Sequence, residues 1–205
     1  YFDDVMTKRL LDLILIATTT IQSFSQTSDT KGICYKIVEI DTVEYKSNFV
    51  KSDLLQPTSR FQKVNGKLTI QTDDSVYTFV DFSDVTIYKV VAEDKERNWI
   101  WIEEGDLFGD RHFLVNSKTS RVDTLIGPPK IFGDKIVSLE DSYTDSPRIV
   151  EIYKIKNDKI VLLKKFRLNP CDKLCCVRTI YLKGKTIFLA NNWDKKYRAW
   201  KVRVL

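Results

Sequence analysis

Histidine is almost absent from this 205-residue chain: His112 is the only one. A Ser-His-Asp or Cys-His nucleophilic site would have to be built on that imidazole. It stands beside Arg111 at the start of a strand-like segment, and no Gly-x-Ser-x-Gly elbow occurs anywhere. It reads as a packed or solvated strand-end histidine, and no catalytic residue is assigned. Zinc needs nitrogen or sulfur ligands grouped together, and the chain does not group them. Helical periodicity is missing as well. After residue 25 no apolar residues recur at helical spacing for three turns. Beyond the first segment there is no run near the roughly 20 apolar residues that span a bilayer. Disorder is excluded by composition, since 43% hydrophobic and 30% charged residues are those of a folded domain.

Cysteine is sparse but even in number: Cys34, Cys171, Cys175 and Cys176. Cys175 and Cys176 point to opposite faces of an extended segment and are not expected to bond each other. The expectation is at least one disulfide, with one of this pair closing a short loop to Cys171 and the other reaching Cys34. Reduced thiols, or a metal site on Cys-x-x-x-Cys-Cys, are the alternatives.

What is present begins with the first segment. Met6-Thr7-Lys8-Arg9 is a basic start, Leu10–Ile16 is almost wholly apolar, and a softer run continues to Ile21. Ser23-Phe24-Ser25 then places small residues at −1 and −3 of a cut before Gln26. That is the order of a secretory signal peptide, although Asp12 interrupts the apolar run. The expectation is residues 1–25 as upstream remnant and signal, and residues 26–205 as one β domain, periplasmic or extracellular. An uncut N-terminal anchor is the competing reading.

Removing residues 1–25 takes out two cations and three acids, which moves the formal charge from +5 to +6. From Lys130 to Leu205 there are 18 Lys and Arg against 8 Asp and Glu; from Gln26 to Pro129 there are 13 against 17. A basic half can meet nucleic acid, anionic glycans or a membrane surface. Export argues against nucleic acid. The plainer reading is the wet faces of strands, because the lysines alternate with apolar residues.

Alternation with period two runs through the rest of the chain. It predicts strands at 34–40, 68–70, 76–80, 86–91, 99–102, 112–115, 122–126, 135–139, 148–155, 160–168, 179–182, 186–190 and 197–204. Turn signals separate them: Asn65-Gly66, Gly127-Pro128-Pro129, Gly133-Asp134, Asn157-Asp158 and Lys183-Gly184. Short strands joined by tight hairpins predict an all-β antiparallel meander. Residues 44–61 read as a loop or one helical turn.

The meander repeats. Residues 131–152 align with 181–202 at an offset of 50 without a gap. Val137 meets Ile187, Leu139 meets Leu189, Asp141 meets Asn191, Tyr143 meets Trp193, Arg148 meets Arg198 and Ile152 meets Val202. A strand-built repeat of roughly 40 to 50 residues is the signature of propeller blades.

These residues carry a resemblance. The stretch from Arg111-His112-Phe113 to Asp123-Thr124-Leu125, then Gly127-Pro128-Pro129 and Phe132-Gly133-Asp134-Lys135, resembles a blade junction of WD40-like propellers. Residues 132–205 resemble the C-terminal part of uncharacterised exported bacterial β-repeat proteins. The resemblance implies repeated small sheets in a propeller-like order, four-bladed or incomplete, and brings no activity with it.

Two groups of residues are candidates for chemistry. Glu103, Glu104, Asp106 and Asp110 form the densest acidic patch, with Gly105 and Gly109 among them. Oxygen ligands in a glycine-bearing loop suit calcium, and a carboxylate pair suits glycoside hydrolysis. A charged connection between strands is the plainer reading. Tyr143 with Asp141 and Asp145, and Trp193 with Asn191, Asn192 and Asp194, occupy equivalent loops of the repeat. An aromatic face beside polar groups fits a protein or glycan ligand. Trp99 and Trp101 share one face of a strand and Ile100 and Ile102 the other, which reads as core rather than a sugar platform. The expected function is an exported binding or scaffolding module without a cofactor. A carbohydrate-active or other hydrolase, and a structural envelope component, are the alternatives.

Overall fold

Alternating apolar and polar residues become strands from Ile37 to Arg203. The computed structural model describes residues 37–53, 55–82, 85–106, 110–140, 148–168, 177, 179–193 and 196–204, with the side chains of 192–197 left aside. The chain divides into Tyr1–Cys34 and Tyr35–Leu205, and all described residues belong to the second unit. The expected signal segment and all four cysteines therefore lie outside the described residues.

Among the described residues sixteen strands and one short helix follow in order. They are β1 (Ile37–Ile40), α1 (Thr42–Ser47), β2 (Gln56–Pro57), β3 (Lys63–Val64), β4 (Lys67–Gln71), β5 (Val76–Val80), β6 (Ile87–Asp94) and β7 (Trp99–Gly105). Then come β8 (Arg111–Asn116), β9 (Arg121–Leu125), β10 (Pro129–Phe132), β11 (Lys135–Leu139), β12 (Ile149–Lys156) and β13 (Lys159–Arg167). The last are β14 (Thr179–Lys183), β15 (Thr186–Trp193) and β16 (Lys196–Arg203). The helix forms where Asp41 caps it, its Oδ1 accepting the Glu44 N–H at 2.7 Å.

The strands make four small antiparallel sheets, none of which closes on itself among the described residues. Sheet I is β3-β4-β5, sheet II is β2-β6-β7-β8-β9, sheet III is β10-β11-β12-β13, and sheet IV is β14-β15-β16-β1. Most neighbours are consecutive in sequence, as a meander requires. The exceptions are β2, which joins β6, and β1, which joins β16. Tight turns sit where positive φ is available: Asn65 at 52° with Gly66 at 71°, and Asn157 at 50° with Asp158 at 58°.

Each sheet packs face to face on the next. Leu68 and Ile70 of sheet I meet Ile100, Ile102 and Val115 of sheet II. Trp99, Leu114 and Leu125 on the other face of sheet II meet Ile131, Ile136, Tyr153 and Ile160 of sheet III. Val137, Val150 and Ile152, on the far face of sheet III, meet Ile180, Leu189, Trp200 and Val202 of sheet IV. Tyr181, Phe188 and Ala199 on the last face are covered by Tyr45 of α1. Interior strands are thus buried on both sides, with alternate residues serving different interfaces. Trp99 and Ile100 show the division: the first faces sheet III, the second sheet I.

The repeat is visible as register. Val137 pairs with Ile152 and Leu139 with Val150. Fifty residues on, Ile187 pairs with Val202 and Leu189 with Trp200. The offset breaks one hairpin earlier. Phe132 closes on Lys135 around Gly133, whereas Lys183 closes on Thr186 around Gly184, so the turn is one residue later. Each copy places its glycine where φ is near +60°.

The Asp81 carboxylate, directly after β5, joins an ion pair from sheet I to a backbone hydrogen bond from β6 of sheet II. Lys63 Nζ lies 2.8 and 2.6 Å from the two Asp81 oxygens, and the Tyr88 N–H donates to Oδ1 at 2.9 Å. Lys63 first, then the Tyr88 N–H, hold this carboxyl below its ordinary range against a smaller opposing effect of burial. A lowered carboxyl stabilises the fold above its unfolded pKa, and the contribution disappears as pH falls through the folded value. Asp81→Asn is expected to lose about 1 kcal/mol at neutral pH. Urea melts across the acid range would show variant and wild type converging as pH falls below about 4. A constant difference down to strong acid would remove Asp81 from this role.

Candidate functional site

The hairpin β15–β16 and its counterpart β11–β12 carry the aromatic candidates. Asn191 stands opposite Arg198, and the backbone of Trp193 opposite Lys196. Arg198 reaches β1, donating from Nε and Nη2 to Glu39 at 2.9 and 2.8 Å, and its guanidinium lies 5.6 Å from the Trp200 ring centre. Asn191 Oδ1 is buried and accepts no hydrogen bond among the described residues. Asp141, Tyr143, Asp145 and Asp194 lie outside the described residues, as does the side chain of Trp193. Asn191, Asn192 and Trp193 are the last residues of strand β15 and not loop residues, because backbone pairing with β16 runs on to Trp193 opposite Lys196, whereas the described part of β11 ends at Leu139.

The acidic candidates are arranged differently from a loop. Strand β7 runs on to Gly105, so Glu103 and Glu104 are strand residues pointing to opposite faces. Glu103 stands across from Lys89, whose Nζ is 2.6 Å from Oε1. Glu103 raises the Lys89 ammonium above its ordinary range, burial opposes this, and Asp110 adds a weaker push upward. On the other face Glu104 is 1% exposed, with Arg111 Nη2 at 2.5 Å from its Oε1. Burial first, then the Glu104 carboxylate, push the neighbouring Tyr88 hydroxyl above its ordinary range. Asp106 and Asp110 bound the connection to β8, and residues 107–109 lie outside the described set. Among the described residues no group of three or more His, Cys, Asp or Glu is placed to hold a metal.

His112 is buried, and its Nδ1 accepts the Trp101 indole N–H at 3.1 Å. The two rings lie 5.7 Å apart. Its strand-end position is legible in the sequence; its burial between sheets II and III is not.

Two polar clusters were not legible. Glu151 and Tyr153 alternate with Val150 and Ile152, which reads as a wet face of β12. That face is turned to sheet II and is buried. The Tyr153 hydroxyl donates to Glu151 Oε2, and Lys165 Nζ lies 2.8 Å from Oε1. Burial, then Glu151, push the Tyr153 hydroxyl far up. Arg97 bridges Asp94 at 2.7 Å and Asp53 at 2.8 Å, clasping the β6–β7 turn to the chain entering sheet II. The spacing of Asp94 and Arg97 is the only sequence signal for it. Both clusters are paired internally: the first joins β12 to β13 within sheet III, and the second fastens the β6–β7 turn to Asp53.

Comparison with family models, with curated proteins and with solved structures finds no match for this chain.

Proposed function

We propose that the chain is an exported binding or scaffolding module of propeller-like order, whose ligand contacts come from the hairpin ends of the two repeat copies, where the sequence places Tyr143 and Trp193. The observation that supports this reading is the common register of the two repeat copies, Val137 with Ile152 and Ile187 with Val202. Equivalent sheets stacked in series present equivalent hairpin ends on one side. The strand pairing of β1 with β16 is also what a propeller-like chain uses to complete its last sheet. Binding is favoured over hydrolysis because Glu103 and Glu104 face apart and are each engaged by a cation. Export rests on the pattern of residues 6–25.

The test is a glycan array beside a panel of exported proteins, probed with wild type, Tyr143→Ala and Trp193→Ala. Saturable binding is expected, weakened at least about tenfold in each variant with little change in melting temperature. Large losses of stability in both variants would leave the hairpin-end site without support. Turnover of an arrayed glycan that Glu103→Gln or Asp110→Asn abolishes would replace this reading with the hydrolase.

A further inference from the structure

Among the described residues β13 is the last strand of sheet III and pairs with β12. Folded proteins commonly blunt the edge strand of a sheet with lysine. Lys159, Lys165 and Arg167 are exposed on β13, as are Lys154 and Lys156 on β12. From Ile149 to Arg167 the hairpin holds six Lys and Arg against two Asp and Glu, and one of these acids, Glu151, is buried against Lys165.

Edge protection accounts for the lysines. It does not account for Val161, Leu162 and Leu163, which are consecutive and 51, 49 and 41% exposed. Alternation would turn every second residue of such a run inward. The cause is a β-bulge: Leu162 pairs with Tyr153 and Lys164 with Ile152, which leaves Leu163 without a partner. A bulge bends and twists its strand, so the three side chains fan around the edge instead of sharing one face.

We propose that this edge docks the protein on an anionic lipid bilayer. A second copy would set one cationic edge against another, which repels. A partner strand or groove would meet a single face or a continuous ladder, and the bulge breaks the ladder. A lipid interface accepts apolar tips fanned in several directions, while its headgroups meet the surrounding ammonium and guanidinium groups. Shallow apolar insertion together with charge supplies the two contributions that stable peripheral binding needs. Lipid partition is read with Tyr143 and Trp193 unchanged, and ligand binding with the β13 residues unchanged, so each proposal can fail alone.

The experiment is co-sedimentation of the full chain with vesicles of phosphatidylcholine alone or mixed with phosphatidylglycerol. Partition onto the phosphatidylglycerol vesicles is expected, falling at least about tenfold in high salt and in Lys156→Gln/Lys159→Gln/Arg167→Gln. Leu162→Ser/Leu163→Ser is expected to lose the salt-resistant part. All the substituted residues are exposed, and unchanged melting temperatures would show that both variants fold. No partition onto the anionic vesicles, or partition that neither variant alters, would overturn the proposal. Equal binding to soluble polyglutamate, insensitive to the leucine changes, would assign the edge to an acidic polymer and overturn it too.

Discussion

Gly127→Ala is expected to destabilise the protein by about 3 kcal/mol or more, the upper end of what overpacking does. A Cβ at this position would lie 1.8 Å from the Leu139 carbonyl oxygen and 2.6 Å from its carbon. Both atoms are backbone at the end of β11, so no side chain can swing aside. The approach is fixed from the other direction as well, because the Ser138 hydroxyl donates to the Gly127 carbonyl at 2.8 Å within the core. Gly133→Ala is the control. Its φ is +60° and nothing lies within 4 Å of an added Cβ, so only backbone strain of about 1 kcal/mol is expected. Urea unfolding of the two variants should separate them clearly. Equal losses would mean that the 127–129 passage relaxes away from β11.

Tyr181→Ala is expected to remove about 3 to 5 kcal/mol, and Tyr181→Phe about 1 kcal/mol. Tyr181 is 1% exposed in sheet IV. Its ring stacks on Phe188 at 4.8 Å and meets the edges of Tyr45 at 5.0 Å and Phe49 at 5.5 Å. Its hydroxyl donates to the Tyr45 carbonyl at 2.7 Å. The side chain is thus the peg on which α1 and the residues after it lie over the last sheet. Alanine would also leave α1 unsupported, since a six-residue helix has little stability of its own. Denaturation midpoints measure the first effect, and amide exchange in residues 42–49 the second. A loss below 1 kcal/mol for the alanine variant would show that the helix covers sheet IV without depending on this contact.

Local chemistry made the strands legible. Val76–Val80 and Lys135–Leu139 begin and end where alternation places them, and Asn65-Gly66 turns as its residues require. Strand β10 was missed because Pro129 reads as part of a turn. At the first residue of a strand on the sheet's edge a proline gives up no ladder bond. The extension of β7 through Glu103 and Glu104 was missed because two carboxylates before a glycine look like a loop. Lys89 and Arg111, which make them strand residues, come from the strands on either side. Burial of Glu151 was illegible for a related reason: alternation separates two faces but does not say that both are covered. The pairing of β1 with β16 spans almost the whole described chain, and no local signal reports it. Of the candidate residues, Asn191 and Trp193 were expected in a loop but are strand residues of β15, because alternation stops at Ala190 while the backbone pairing continues to Trp193. The neutralisation of Glu103 and Glu104 was not legible either.

The two repeat copies share one strand register, and the first described strand completes the last sheet. Both parts meet at Val202, which has Ile187 directly opposite on one side and Ile37 on the other. Cross-strand backbone NOEs in the isotope-labelled protein test them together. Contacts from Val202 to both Ile187 and Ile37, and from Ile152 to Val137, are expected. A register shifted in either copy, or a β16 whose outer side exchanges freely and shows no contact to Ile37, would contradict this arrangement.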